Sequence, residues 1–372
     1  MPYTQQWNLT IERQMPFASA FRASYTGNRG IGLLRYALDN LPLHDPVNGV
    51  LVANHPNNPA NLRGQIIKPA ADIHCAGTAG TTAIPFTALC PAIVPIGAFE
   101  YSFRVPRVNE RRPNGLYGTN LAVSNAAWSY YNAMQLEWTK RLSRNLNFQA
   151  AYTWSKATDT TSEATFVGAG DSNQNGNRAR DVHALSRFHT PHRFTMYGTY
   201  RLPFFSGDKG VLGQTLGGWQ FSAVVKLARG TPFTVTTTAL DLNFDGFSES
   251  RPVLLDPTVL GRTVAHPLTS RISLPASAFR PLTSTDLNTD LLGRNTFFLD
   301  GARTIDFGIA KNFSMPWEGH RITLRADMFN VMNHVQYGFP SASLANTNFG
   351  AITGAATLYT PRSIQVALRY QF

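Results

Sequence analysis

Hydrophobic and polar residues alternate along much of this chain, and nowhere more regularly than at its end. In Ser363-Ile364-Gln365-Val366-Ala367-Leu368-Arg369-Tyr370-Gln371-Phe372 the apolar residues Ile364, Val366, Leu368, Tyr370 and Phe372 take every second position. A strand sends alternate side chains to opposite faces, so this segment has one apolar face and one polar face that carries a charge. The same period predicts eight further strands. They run from Trp7 to Gln14, Ala18 to Tyr25, Tyr130 to Lys140, Leu146 to Ser155, Arg193 to Leu202, Trp219 to Leu227, Thr304 to Phe313 and Arg321 to Val331.

Each is about the 9 to 11 residues that a tilted strand needs to cross a bilayer, whereas globular strands usually stop at about 5 or 6. The connections alternate in length. Short ones (Met15 to Phe17, Leu142 to Asn145, Ser314 to His320) and a moderate one (Pro203 to Gly218) are interleaved with long ones at about 26–129, 156–192, 228–303 and 332–362. Outer-membrane barrels have this rhythm, with short periplasmic turns and long extracellular loops. The pattern therefore predicts an all-β, antiparallel transmembrane β-barrel in a bacterial outer membrane, with about nine or ten strands in this chain. An autonomous β-sandwich, serving as an adhesin or a carbohydrate-binding surface protein, is the alternative. It would bury the apolar face against a second sheet.

Composition agrees with the barrel. Charged residues make up 15% of the 372 positions and aromatics 12%, with Gly and Pro plentiful, as suits many strands joined by irregular loops. The formal charge of +11 is spread singly, with no basic run longer than Arg111-Arg112, so a nucleic-acid surface is not expected. No window approaches the roughly 18 apolar residues of a membrane helix, which leaves strands as the only means of crossing. Met1 to Trp7 has neither a basic n-region nor an apolar h-region, so no signal peptide is expected here. An odd strand count with the last strand ending inside would start the first strand outside, which predicts a chain that begins in mid-barrel.

Several segments carry a family resemblance. Tyr131-Asn132-Ala133-Met134-Gln135, Lys140 to Arg144, Ala151-Tyr152-Thr153-Trp154-Ser155-Lys156 and His192-Arg193-Phe194 are followed by Gly217-Gly218-Trp219-Gln220, Gly230-Thr231-Pro232-Phe233 and the run from Arg325 to His334. In order and spacing these resemble the C-terminal barrel of Oar-like TonB-dependent transporters, over most of residues 1–372. The resemblance implies a barrel of about 22 strands with a plugged lumen. It also implies active uptake of a large nutrient, driven by an energy-coupling protein of the inner membrane acting through a plug. No plug domain is recognisable in this chain. Ile364, Val366, Leu368, Tyr370 and Phe372 resemble the terminal signal read by the barrel assembly machinery.

Candidate chemistry is sparse. Cys75 and Cys90, the only cysteines, fall in the first long loop, where a disulfide is expected and two free thiols are the alternative. Asp241, Asn243 and Asp245 followed by Gly246 resemble the opening of a calcium loop, but Pro252 stands where the bidentate Glu belongs, so an ordinary turn rich in Asp and Asn is favoured. His183, His189 and His192, near Asp171 and Asp181, match no metal-ligand spacing and are expected to be solvated loop residues. Asp159 and Glu163 form only a weak glycosidase-like pair. Without a nucleophile elbow, a P-loop or a dinucleotide fingerprint, neither catalysis nor a cofactor is expected. Trp138, Tyr152, Trp154, Tyr200, Trp219, Tyr370 and Phe372 are expected to anchor at the lipid interface, contacting outer-membrane lipid. Tyr101, Phe103 and Tyr117 are candidates for binding a nutrient, and Glu137, Arg325, Asp327 and Arg369 for pairing on the lumen wall.

Overall fold

A computed structural model describes residues 1–39, 120–162, 183–205, 210–239, 250–283, 291–315, 320–357 and 359–372. Nine long strands form one antiparallel sheet: β1 (Tyr3–Met15), β2 (Ser19–Asp39), β3 (Asn120–Ser143), β4 (Leu146–Asp159), β5 (His192–Arg201), β6 (Trp219–Ala228), β7 (Ala302–Ser314), β8 (Arg321–Phe329) and β9 (Ser363–Gln371). They stand in sequence order, β1 and β9 being its two edges, and the two-residue strand Ala184–Leu185 extends β4 as a tenth member. Sequential neighbours joined as hairpins are the arrangement that alternating short and long connections produce.

The register puts the expected residues on one face. From strand to strand, Leu136 lies opposite Ala23 and Tyr152, Tyr152 opposite Phe194, and Phe194 opposite Leu227. At the other end of the sheet Phe307 lies opposite Ala223 and Met328, and Met328 opposite Ile364. Apolar residues thus continue across all nine strands. Ile364, Val366 and Leu368 are 60%, 70% and 73% exposed, so among the described residues no second sheet covers them, whereas the β-sandwich alternative requires one. The opposite face is polar. There Arg22 bonds to Glu12 at 2.8 Å and faces Glu137 at 3.5 Å, and Gln149 donates to Glu137 at 2.5 Å. Tyr197 donates to Gln149, Thr199 to Asn147, and Arg325 pairs with Asp327 at 2.7 Å.

Cations on the apolar face stand near its two ends. Arg13, Lys140 and Lys311 occupy outward positions near the short turns, and Arg303, opposite Leu227, and Lys156, opposite Asn132, do so near the long connections. Lys140 donates to the Phe17 carbonyl at 2.6 Å. Lys311, buried, donates to the carbonyls of Thr215 and Gly217 where the short helix Val211–Leu216 ends, and lies over the rings of Trp219 and Phe313. A long side chain can thereby lay its methylenes on an apolar surface while its charge is met by oxygen. The tightest turn, Arg144-Asn145, has φ of 50° and 63°, the mirror-image geometry whose twist suits a two-residue hairpin.

Two expectations require correction. The connection over 26–129 is shorter than alternation suggests, because β2 runs on to Asp39 and β3 begins at Asn120. Beyond Asn28 this hairpin continues for about 37 Å along the strand direction, at about 3.4 Å per residue, and there the period lapses. A bulge at Gly32, with φ of 65°, shifts the register within it. The connection over 228–303 is not a plain loop. It folds into a cap with a three-stranded patch (Pro232–Phe233, Phe297–Leu299, Thr263–Val264) and a two-stranded one (Val253–Leu254, Phe279–Arg280). Val235, Val259, Leu274 and Phe297 are fully buried in its core, and the last long connection contributes Phe349 and Ile352. Each large side chain there stabilises the cap by roughly 1.5–3 kcal/mol through burial.

β8 stops two residues short of Val331 because Asn330 turns the chain with φ of 49°. Its backbone N–H donates to Asp306, its amide donates to the carbonyls of His334 and Thr360, and its Oδ1 accepts from the His334 N–H at 3.0 Å. The Asn in the Arg325 to His334 run is therefore the knot tying the exit of β8 to β7 and to the approach of β9.

Candidate functional site

All the long connections emerge at one end of the sheet, and there the cap docks on the top of β4. Arg294, fully buried, donates to the Asp159 carboxylate at 2.8 Å and to the Asp159 carbonyl at 2.6 Å. Asn295 donates to the Leu185 carbonyl at 2.7 Å. Asp159 is thus a clasp for the cap. Its supposed partner, Glu163, lies outside the described residues, as do Asp171 and Asp181.

Of the three histidines, His183 and His192 are exposed, as expected, and His189 is not. His189 is buried and accepts at Nδ1 from the Ala157 N–H at 3.2 Å. Burial, reinforced by the charges of Lys156 and Arg229 and by His192, pushes its pKa down to about 4. His183 stacks on Trp128 at 4.5 Å, and His192 Nδ1 lies 2.8 Å from the Tyr152 hydroxyl. No cluster of metal-ligating side chains occurs among the described residues. Cys75, Cys90, Asp241, Asn243, Asp245, Tyr101, Phe103 and Tyr117 all lie outside them.

Between the cap and the last long connection lies a cavity of about 460 Å³, within the range of small-molecule sites. Its floor is the top of the polar face, at Ala228 and Ala302, which pair with each other. One wall is Arg229 to Thr231 with Leu299 and Asp300, and the other is Gln336 to Phe339 with Ala355 to Thr357. Two backbone bonds brace the second wall, Gly338 N–H to Gly354 carbonyl and Ala356 N–H to Gln336 carbonyl, both 2.9 Å. Gly230 and Gly301 let the first wall close up. A Cβ on Gly230 would strike the Leu299 carbonyl, and one on Gly301 the Ala228 carbonyl.

Asp300 is the acidic residue of the lining. The residue is 8% exposed, and its Oδ2, shut off from both solvent and the cavity, has no hydrogen-bond partner among the described residues. Leaving such an acceptor unmet costs about 1–3 kcal/mol, more for a charged group. Arg229 lies over the Phe298 ring at 4.7 Å, and no ion pair joins it to Asp300 among the described residues. Two aromatic rings complete the lining. Tyr337 meets His266 edge to face at 5.2 Å, and Phe339, 58% exposed, is held against Phe233 at 5.2 Å. Sequence reasoning missed Asp300, Gln336 and Phe339, which lie in stretches without periodicity. The only cue was the Gly230 to Phe233 run, whose glycine makes the close approach beneath them.

Comparison with known proteins fits this architecture. A family model described as "Outer membrane beta barrel domain" matches residues 1–365. The fold is similar to that of the outer membrane transporter YddB from Escherichia coli, at 10% identity and a TM-score of 0.44, over 100% of this chain and 33% of that one. It is also similar to the ferripyoverdine receptor of the outer membrane of Pseudomonas aeruginosa, solved bound to ferripyoverdine, at 8% identity and a TM-score of 0.38, over 100% of this chain and 27% of that one. The chain thus spans about a third or less of the length of these structures. Among curated proteins nothing matches.

Proposed function

The chain belongs to the outer membrane β-barrel domain family, and from that premise we propose that it is the C-terminal part of the barrel wall of a TonB-dependent, Oar-like receptor that actively takes up a large nutrient. The observation that carries this reading is the sheet's asymmetry. One face is apolar and exposed across nine strands, the other is a hydrogen-bonded polar surface, and folded connections stand over the polar side at one end only. A wall of this kind separates lipid from a wet lumen. In the complete receptor, lipid contacts the apolar face, the assembly machinery reads Ile364 to Phe372, and a barrel of about 22 strands surrounds a plug through which an inner-membrane protein delivers energy. The nutrient first meets the loop end, where the Asp300 cavity lies.

The test is uptake in the native host. A strain lacking the gene, and a wild-type strain in which the inner-membrane proton gradient has been collapsed, are compared on ferric chelates, oligosaccharides and peptides too large for passive diffusion. Loss of uptake of the same compound in both is the expected result. Uptake that needs the gene but persists without the gradient would refute energised transport.

A further inference from the structure

We infer that the short-turn end of the apolar face carries a site for one anionic phospholipid, its acyl chain in a groove across β2 to β5 and its phosphate at Arg144, Lys140 and the Tyr200 hydroxyl. This deepens the outer-membrane reading and rests on it, because that reading sets lipid against the apolar face. Three observations converge. First, the face is grooved here. A groove of about 610 Å³ runs over the short-turn ends of these strands, with Phe21, Trp138, Leu146 and Phe148 along it. The register sets all four outward, Phe21 opposite Trp138, Phe148 opposite Lys140 and Leu146 opposite Tyr200. Trp138 and Phe148 meet edge to face at 5.0 Å, which fixes the floor. A groove lined this way and open to the bilayer takes hydrocarbon, because a polar occupant would leave its hydrogen bonds unmade.

Second, one end of the groove is a rigid basic mouth. The turns β1–β2 and β3–β4 lie side by side there, tied by the Arg141 N–H to the Ala18 carbonyl at 3.0 Å. Lys140 donates to the Phe17 carbonyl at 2.6 Å and to the Ser143 hydroxyl at 2.7 Å, and that hydroxyl donates to the same carbonyl at 2.9 Å. The ammonium is thereby held in place with a third N–H still to donate. Arg144, exposed, stands over the Phe17 ring at 4.3 Å. Neither its guanidinium nor the Tyr200 hydroxyl makes a hydrogen bond among the described residues.

Third, the charge of the lining is one-sided. It includes two cations and no carboxylate. A guanidinium fork matches two phosphate oxygens, an ammonium serves as a point charge, and a phenol adds an O–H donor. Phosphatidylcholine would bring an ammonium that finds no acid in this lining, whereas phosphatidylglycerol brings only the phosphate. Lys311, at the same end of the sheet, offers no equivalent, since it is buried and donates to the carbonyls of Thr215 and Gly217.

The experiment uses the protein extracted in non-ionic detergent from its native outer membrane, as it occurs there. Binding is read by native mass spectrometry with dioleoyl phosphatidylglycerol and dioleoyl phosphatidylcholine at equal concentration, and with glycerophosphoglycerol as a headgroup without chains. One phosphatidylglycerol should bind at least about fivefold better than phosphatidylcholine, and glycerophosphoglycerol should not bind. Arg144→Asn, a residue that tolerates the φ of 50° at this position, should lower phosphatidylglycerol binding about fivefold and leave phosphatidylcholine unchanged. Tyr200→Phe should lower it at least twofold. Arg141→Asn, which removes the same charge from the polar face, should leave it unchanged. Folding of each variant is checked by heat-modifiable migration, and if Arg144→Asn does not fold, Tyr200→Phe compared with Arg141→Asn decides. The inference is overturned if phosphatidylcholine binds as well, if glycerophosphoglycerol binds as tightly as the lipid, so that a soluble phosphate ester is the ligand, or if the substitutions in the groove act no differently from Arg141→Asn. A protein that sediments with the outer membrane yet shows no preference sinks this inference alone. A protein recovered folded without detergent sinks the membrane reading itself.

Discussion

At the scale of single residues, the cap depends on a few buried polar groups. Arg294 and Asp159 form an ion pair taken almost wholly out of water. Such pairs contribute little net stability when compared with apolar replacements, but removing one partner leaves the other charged and unmet, at about 3–5 kcal/mol. Arg294→Met should therefore release the cap from β4 while the sheet persists, seen as new protease cleavage between residues 250 and 300 with heat-modifiable migration unchanged. Adding Asp159→Asn should restore part of the protection. His189 makes a second, pH-dependent contribution. Its folded pKa of about 4 lies below the unfolded value of about 6.5. The unfolded state therefore binds the proton first, and the stabilisation is complete above about pH 6.5 and falls as pH drops toward 4. The protection factor of the Ala157 amide, whose N–H His189 accepts, should fall as pH drops through that window, once exchange is corrected for the intrinsic pH dependence of its rate. His189→Gln, which keeps an acceptor, should flatten the dependence.

At the scale of elements, the sheet's two faces should respond oppositely to the same charge. Leu136 lies on the apolar face of β3, between Ala23 and Tyr152, whereas Gln135 lies on the polar one, between Ser24 and Thr153. Leu136→Arg should cost about 2–4 kcal/mol if it sits near the bilayer midplane, and Gln135→Arg little, measured as unfolding of the vesicle-inserted chain by guanidinium. The same asymmetry explains what the sequence made legible. Lipid on one side and water on the other impose period two, so all nine long strands could be read, with ends displaced by a few residues wherever lipid contact persists. Where the period lapses, as in β2 and β3 past Asn28, alternation failed to show that the strands continue. The cap left no signature. Its strands are two or three residues long, and its core brings Val235, Val259, Leu274, Phe297 and Phe349 together from more than 100 residues of chain. No local period encodes that contact, and so neither the cavity nor Asp300 could be anticipated.

At the scale of the whole molecule, the short turns and the folded connections should lie on opposite sides of the outer membrane. Outward cations lie toward both ends of the apolar face, Arg13, Lys140 and Lys311 by the short turns and Arg303 and Lys156 by the long connections, where lipid headgroups can receive those not already met by carbonyls. The two native cysteines test the arrangement, because Cys75 and Cys90 fall between β2 and β3, on the side of the long connections. A bridge between them would also constrain that connection by about 3 kcal/mol in the chain-entropy model. A 5-kDa polyethylene glycol maleimide, too large to pass the outer membrane, should leave the chain unmodified in intact cells and modify it once cells are treated with a reductant. Labelling before reduction would mean free thiols at the surface, and labelling only after permeabilisation would invert the orientation. With both cysteines replaced by serine, Asn145→Cys in the tight turn between β3 and β4 should react only after permeabilisation. If it reacts in intact cells, the short turns face outward, and the Asp300 cavity opens toward the periplasm, where no incoming nutrient would meet it first.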